Sequence, residues 1–279
     1  MADSAIYVNG GNFDTFEPSG NRITNNVIHN TGRNKEFNVP AVSIRGVEPH
    51  VDHNEFYNIP LAAIMFSAAG DKITSVNSVI EYNKFHECCT NGVDLAVVYG
   101  GRDLRALGTK VRYNHFYNIS NNMDAYGFSG SAVFGDDATS SVEITNNIVG
   151  PGCSGDNTEA FKFNWGHDNV ISNNLIIDLP TFFYIYKFND FVDRIQKQYD
   201  ASFGSEPGVT LTMCWDNANY QKNWPWVKAF KDGEGYYVPN EVSNNVMIYT
   251  DNYPHSVSGW SEFNNAYYIY NNGNPGSDE

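Results

Sequence analysis

The sequence predicts an all-β protein, a right-handed parallel β-helix (solenoid) of about seven to eight coils with one loop and helix excursion near 189–240. Two observations lead to this fold class. A short pattern built around asparagine returns along the chain, and a second short apolar segment occurs between successive copies of it. Alternation of apolar and polar residues over a few positions is typical of strands, and a regular return of such units is typical of repeat architectures.

The asparagine pattern consists of an aliphatic residue, two further positions that are mostly polar, Asn, any residue and a large apolar residue. Its copies are separated by 27 to 33 residues, with one longer step of 71 before the last copy. We expect each Asn to lie at a corner of the coil in the left-handed conformation, which Asn tolerates, and to bond the Asn above and below it. The copies are Ile23–Ile28, Val51–Phe56, Ile80–Phe85, Val111–Phe116, Ile144–Val149, Ile171–Ile176 and Val242–Met247.

The second segment reads small, apolar, any residue, apolar, and it predicts one strand per coil with alternating inward and outward side chains. It recurs at 5–8, 41–44, 63–66, 96–99, 132–135 and 160–163. The residues expected to point inward are Ile6, Val42, Ile64, Val97, Val133 and Phe161. A polar column is expected on the outward side, formed by Asn9, Arg45, Ser67, Gly100, Asp136, Asn164 and then Lys187.

The period predicts the organisation of the chain. Residues 1–188 form β-helix coils, and 189–240 form an excursion packed on the solenoid. The stretch 190–203 is predicted as an amphipathic helix, and a Trp-rich loop follows it. Residues 241–270 return as a final coil, and 271–279 form a tail.

Composition limits the function. The formal net charge of −15 argues against nucleic acid, whose binding requires a basic surface. No apolar run approaches the roughly 18–20 residues of a membrane span. The charge favours a neutral ligand, or an anionic one held by a few cations. The four cysteines form no CxxC pair, so buried free thiols are expected and a metal is not.

Several segments resemble the large bacterial right-handed β-helix family of glycoside hydrolases and polysaccharide lyases. The resemblance is closest to hydrolases in which a GRD segment precedes a DDG-like segment by one coil, although the DDG reads GDDA here. It covers most of residues 1–190 and is similar to the C-terminal half of such proteins. The segments are Pro40–Pro60, Asp94–Asp103, Ala132–Ala138 and Trp165–Ile176. The resemblance implies a secreted or periplasmic protein, although this chain carries no signal peptide.

Paired carboxylates are the chemistry by which glycoside hydrolases act. Asp103, Asp136 and Asp137 are the candidate catalytic residues. With coils about 4.8 Å apart and two residues of offset along the strand, Asp103 and Asp137 would be separated by about 8 Å. That separation is typical of inverting enzymes. The candidate substrate-binding residues are Arg45, Asp94, Arg102, Lys162, Asn164, Trp165 and His167.

Two other functions remain open. A polysaccharide lyase acting on a uronate polymer would use Arg45, Lys162 and Asp136, and Ca²⁺ is possible as its cofactor. A non-catalytic glycan-binding module would bind without turnover. The hydrolase requires no cofactor. In each case the partner is a poly- or oligosaccharide. The N-terminal end of the solenoid is expected to be covered by another chain, a second copy or missing sequence, because an open coil exposes strand edges.

Overall fold

The chain folds as a parallel β-solenoid, which confirms the predicted fold class. The computed structural model describes residues 4–33, 39–68, 73–91, 94–119, 130–153, 158–164, 166–179, 181–185, 216–231, 238–249, 264–271 and 274–275. Each coil contributes one strand to a first sheet and two short strands to a second sheet.

Sheet 1 contains, in the described part of the chain, a row of seven parallel strands that stack in chain order. Its inward column differs from the expected one at a single place. Val98, and not Val97, pairs with Ile64 and Val133, because an apolar pattern does not distinguish two adjacent valines. The strands are β1 (Ile6–Val8), β4 (Val42–Ile44), β8 (Ile64–Ala68), β12 (Leu95–Gly101), β15 (Gly130–Asp136), β18 (Glu159–Phe163) and β21 (Thr181–Ile185).

Sheet 2 contains two parallel rows that meet at the asparagine corner. The first row is β2 (Arg22–Thr24), β6 (His50–Asp52), β10 (Val79–Glu81), β13 (Lys110–Arg112), β16 (Glu143–Thr145) and β19 (Val170–Ser172). The second row is β3 (Val27–His29), β7 (Glu55–Ile59), β11 (Lys84–Cys88), β14 (His115–Tyr117), β17 (Ile148–Val149) and β20 (Leu175–Ile177).

Five further strands complete the sheets. Strand β22 (Glu241–Tyr249) pairs with both rows of sheet 2, and β23 (Asn264–Asn271) extends it. Strand β24 (Asn274–Pro275) is antiparallel to β23. On the other side of the coil, β5 (Gly46–Val47) pairs with β9 (Ile73–Val76), and β9 also returns antiparallel along β8.

The asparagines of the repeat form a ladder along the corner of sheet 2. In the middle of it, the backbone N–H and the side-chain Nδ2 of Asn83 both donate to Asn114 Oδ1 at 3.0 Å. The members of the ladder are Asn26, Asn54, Asn83, Asn114, Asn147, Asn174 and Asn245.

The expectation that these asparagines are left-handed is wrong. Positive φ occurs one position earlier, as at Tyr82 (φ 56°) and Tyr113 (φ 56°), and the ladder residue follows. The left-handed residue turns the chain, which allows the next side chain to point inward along the stack. At each corner, therefore, one residue turns the chain and the asparagine after it forms the hydrogen bonds of the ladder.

The apolar core runs through the centre of the coils as one cluster. Phe56, Phe85 and Phe116 stack within it, with ring centroids 5.0 and 4.8 Å apart. At roughly 25 cal/mol per Å² of apolar surface buried, such columns supply the main favourable term for folding.

A second, smaller cluster attaches the excursion to the solenoid. Its two described helices are α1 (Ala218–Asn223) and α2 (Trp226–Lys231), so part of the predicted Trp-rich loop is helical. Asn217 caps α1 by accepting hydrogen bonds from the backbone N–H groups of Asn219 and Tyr220. The helix predicted at 190–203 lies outside the described residues. The aromatic side chains of the excursion pack against one apolar residue from each of three coils: Val47, Val76 and Leu107.

No helix in the described ranges combines the length and the apolar character that crossing a membrane would require.

Candidate functional site

The candidate site lies on the outward side of sheet 1, where β12, β15 and β18 end. Asp136 closes β15, and its register partner on β12 is Gly101. Gly100 was the expected neighbour. The difference arises because Val98, and not Val97, stands opposite Val133, which moves the later partners on β12 by one position. On its other side β12 changes register against β8 between Tyr99 and Gly100, and β-bulges of this kind re-aim side chains.

Asp136 is held by three donors that come from the two neighbouring coils. The Tyr99 hydroxyl donates to its Oδ2 atom at 2.8 Å, and Asn164 Nδ2 donates to its Oδ1 atom at 2.8 Å. Arg102 Nε donates to Oδ2 at 3.2 Å. Asp136 is only 2% exposed. Burial raises the pKa of Tyr99, and the negative charge of Asp136 raises it further, so Tyr99 is a neutral donor.

Asp137 shares the same cation. Its Oδ2 atom lies 3.0 Å from Arg102 Nε. The Oδ2 atoms of Asp136 and Asp137 are therefore at most 6.2 Å apart, the sum of the 3.2 and 3.0 Å that separate each from Arg102 Nε. The Arg102 side chain is 55% exposed, whereas the Asp136 side chain is 3% and the Asp137 side chain 9% exposed. Two covered carboxylates thus flank a guanidinium that reaches solvent.

The backbone of this site is strained. Arg102 (φ 64°), Asp137 (φ 33°) and Ala138 (φ 70°) all occupy the left-handed region, which is uncommon for residues other than glycine. Ala138 stands where the resembling hydrolases have glycine, and the Ala138 N–H donates to the Asn164 carbonyl at 2.7 Å. The same conformation turns the chain at the asparagine corner, as at Tyr82 and Tyr113, so at this site it marks the turns that follow β12 and β15.

Two adjacent glycines give the site its space. A Cβ on Gly101 would lie 2.8 Å from the Cβ of Asp136 and 3.0 Å from the Tyr99 hydroxyl. A Cβ on Gly100 would overlap the ring of Phe66. The GG in the Asp94–Asp103 segment is therefore required by packing on both faces of β12.

A second polar group continues the site along the face. Lys162 Nζ donates to Asp94 Oδ1 at 3.0 Å and lies 4.4 Å from the centroid of the Phe134 ring. The Phe134 ring meets the Tyr99 ring edge to face, with centroids 5.6 Å apart. Contacts thus run from Asp94 through Lys162 and the two rings to Asp136.

Sequence reasoning missed two residues of this region. Tyr99 lies two residues before Gly101 and so shares its face, a signal that the alternation contained. Glu159 is a buried acid that accepts a hydrogen bond from Ser131 Oγ at 3.2 Å. Burial raises the pKa of Glu159, and the positive charge of Lys162 opposes that rise. Nothing in the period distinguished Glu159 from other strand-opening residues.

Asp103 belongs to a different network. Its carboxylate accepts hydrogen bonds from Arg105 Nε at 2.9 Å and Arg105 Nη2 at 2.8 Å, and also from the Thr74 hydroxyl. The side chain is fully covered. These are the contacts of a closed, buried ion pair.

The remaining predicted binding residues are dispersed. Arg45 follows β4, three strands before β15. His167 is buried against α2, with its ring centroid 4.4 Å from that of Trp226, and burial lowers the pKa of His167 to about 4. Trp165 lies outside the described residues. The structure therefore brings together Asp94, Arg102, Lys162, Asn164, Asp136 and Asp137.

Among the described side chains, no group of three His, Cys, Asp or Glu residues is placed to hold a metal ion. The chain matches no family model, no curated protein sequence and no solved structure. The observations that bear on function are therefore the geometry of this site and the resemblance noted in the sequence.

Proposed function

We propose that this protein is a glycoside hydrolase that cleaves a poly- or oligosaccharide on the outward face of sheet 1, with Asp136 and Asp137 as its carboxylate pair. One observation carries the proposal. Two covered carboxylates share the half-exposed Arg102 guanidinium, with Oδ2 atoms at most 6.2 Å apart, the sum of 3.2 and 3.0 Å. A solenoid face suits a linear sugar chain because it is long and open at both ends.

The separation of the pair favours one stereochemical course. Carboxyl groups about 5–5.5 Å apart are typical of retaining glycosidases, and about 6.5–9.5 Å is typical of inverting ones. For Asp136 and Asp137 the limit of 6.2 Å, the sum of 3.2 and 3.0 Å, favours retention. This differs from the expectation for Asp103 with Asp137, which favoured inversion.

The roles follow from the contacts. Asp136 is oriented by Tyr99, Asn164 and Arg102, so we assign it the attack on the anomeric carbon. Asp137 is then the acid that protonates the departing glycosidic oxygen as the carbon–oxygen bond breaks. In the second step Asp137 accepts a proton from water, whose oxygen attacks the anomeric carbon and releases Asp136.

Asp103 remains a predicted member of the pair from the sequence, and its contacts favour a positioning role in this proposal. Its ion pair with Arg105 fixes the turn that follows Arg102. The resemblance noted in the sequence implies a secreted or periplasmic protein, and the proposal includes that location.

The test measures reducing-end release from a panel of plant and bacterial glycans. Asp136→Asn and Asp137→Asn should each lower turnover by about 10²-fold or more, because each removes a group that transfers a proton or forms a bond. Glu81→Gln is the matched control, since Glu81 is also paired with an arginine, Arg112, but on sheet 2. It should leave turnover unchanged.

Product analysis separates the alternatives. Retention of the anomeric configuration, followed by NMR, agrees with the Asp136–Asp137 pair. Inversion would reject this pair and favour Asp103 as the partner of Asp137. An unsaturated, ultraviolet-absorbing product would identify a lyase, and glycan binding with no turnover of any glycan would identify a non-catalytic module.

A further inference from the structure

We infer that the sugar bound at the Asp136 site is neutral, and that uronates and other acidic sugars are rejected there. The inference rests on the proposed function for the identity of the site, and it adds the substrate class. It follows from how the two cations of the site are used.

Both cations of the site are already paired with carboxylates of the protein. Arg102 lies between Asp136 and Asp137, at 3.2 and 3.0 Å. Lys162 donates to Asp94 at 3.0 Å, and its ammonium also rests on the Phe134 ring. A uronate carboxylate recognised by either cation would have to displace a carboxylate that the fold fixes nearby.

The site has no cationic charge to spare. When Asp137 holds the proton that it donates in the first step, the carboxylates of Asp136 and Asp94 still balance Arg102 and Lys162. The chain as a whole carries a formal charge of −15, and its field repels anions at long range. Like charges placed together across an interface repel, so an acidic sugar is disfavoured both in its approach and in the bound state.

A neutral hydroxyl has a complementary group in the site. Asn164 donates through Nδ2 to Asp136, so its amide oxygen, Oδ1, is directed away from that carboxylate. Its Oδ1 atom is buried and accepts no hydrogen bond from the described residues. Such an acceptor favours a ligand that can donate, because a buried polar atom without a partner is unfavourable. A sugar hydroxyl supplies that donor, whereas a carboxylate only accepts.

Arg45 does not change this conclusion for the sugar at the cleaved bond. It lies three strands away from Asp136 along the solenoid, which is about 14 Å at the usual strand spacing. A charge at that position is beyond a Debye length at physiological salt.

The experiment compares matched pairs of polymers. Polygalacturonate, polyglucuronate and alginate are each prepared with their carboxyl-reduced, neutral counterparts. Binding is measured by affinity electrophoresis and turnover by reducing-end release, separately. We expect the neutral member of at least one pair to bind about tenfold more tightly or better than its acidic member, which corresponds to about 1.4 kcal/mol.

A variant tests the cause. Asp94→Asn removes the partner of Lys162, and Asp94 is half-exposed, so the fold should tolerate the change. This variant should gain affinity for the acidic polymers by about threefold to tenfold at low salt, and less at high salt. Glu81→Gln frees Arg112 on sheet 2 and changes the net charge equally, and it should leave the preference unchanged.

The outcomes separate the two proposals. Tighter binding of an acidic member in any pair, or an equal effect of both variants, overturns the inference on substrate class but not the hydrolase. Neutral preference in binding with no turnover of any polymer supports the inference and rejects the hydrolase. Failure of all six polymers to bind rejects both.

Discussion

The asparagine corner and the Asp136 site both hold buried polar side chains, but they differ in where the partners come from. In the corner, Asn83 is bonded to Asn114 by the same two hydrogen bonds that join Asn114 to Asn147. At the site, Asp136 is held by a tyrosine, an arginine and an amide. In the corner, equivalent residues of successive coils satisfy one another's hydrogen bonds. At the site, the partners are residues of different types.

The difference between the two regions indicates where a binding site can form on a solenoid. A ladder in which each coil supplies the same residue is closed, because every donor already has its acceptor in the next coil. Where the coil departs from the period, with a bulge in β8 and positive φ at Asp137 and Ala138, side chains of different chemistry are brought together. The Asp136 site therefore offers polar groups of several kinds to a ligand.

The largest expected effect concerns the ladder. Asn114→Ala removes the Oδ1 atom that accepts two hydrogen bonds from Asn83. It also removes the Nδ2 group that donates to the Ile80 carbonyl and to Asn147 Oδ1. Buried groups left without partners cost about 1–3 kcal/mol each, so we expect the free energy of unfolding to fall by about 4 kcal/mol in urea denaturation. Asn26→Ala, at the exposed end of the ladder, should cost about 1 kcal/mol. Equal losses at the two positions would contradict the view that burial of the unpaired groups sets the cost.

The next effect is the pH dependence of the unfolding free energy that the buried His167 causes. Its pKa is lowered to about 4 by burial, whereas an unfolded histidine titrates near 6.5. The unfolded state therefore takes up a proton first, and stability falls as pH drops from about 6.5 towards 4. At about 1.36 kcal/mol per pH unit, the loss between pH 6.5 and 4.5 is about 2–3 kcal/mol. His167→Leu should flatten the unfolding free energy over this window, and an unchanged slope would contradict the assignment.

A smaller effect is expected on the face of β12. Gly100→Ala places a methyl group in the Phe66 ring, and overpacking of this kind costs about 1–3 kcal/mol. Thermal unfolding should show the loss. The double variant Gly100→Ala with Phe66→Leu should recover part of it. No recovery would mean that the glycine is needed for a reason other than the Phe66 contact.

The smallest effect concerns the strained turn of the site. Ala138 has φ 70°, a conformation that costs an L-residue about 1–2 kcal/mol and that glycine adopts freely. Part of that gain is offset by the greater entropy of glycine in the unfolded state. Ala138→Gly should therefore stabilise the protein by about 0.5 kcal/mol in urea denaturation. A loss of stability would show that the turn is not strained.

Much of the fold could be predicted from the sequence, because the Asn pattern and the apolar alternation are local. The corner asparagines stack as expected. The position of the left-handed residue could not be predicted, because Asn, His and Tyr all precede ladder residues and their order carries no signal. The choice between Val97 and Val98 also depended on the strand register.

The candidate site was predictable in part. Asp136 and Asn164 were expected to be neighbours in one column, and they are hydrogen-bonded. Tyr99 was not singled out, although alternation placed it on the same face. Asp103 was paired with Asp137 on the basis of coil spacing. Its carboxylate instead accepts hydrogen bonds from three nitrogen atoms of Arg105, and coil spacing alone does not predict these contacts.

By itself, the sequence determined a parallel solenoid with an asparagine corner, since period and alternation are properties of neighbouring residues. The tertiary structure alone decided which acids share a cation. Three left-handed residues, Arg102, Asp137 and Ala138, turn the chain where Asp136 and Asp137 meet the Arg102 guanidinium. Such changes in direction depend on packing between coils, because the space beside each side chain is defined by residues about 30 positions away in the chain.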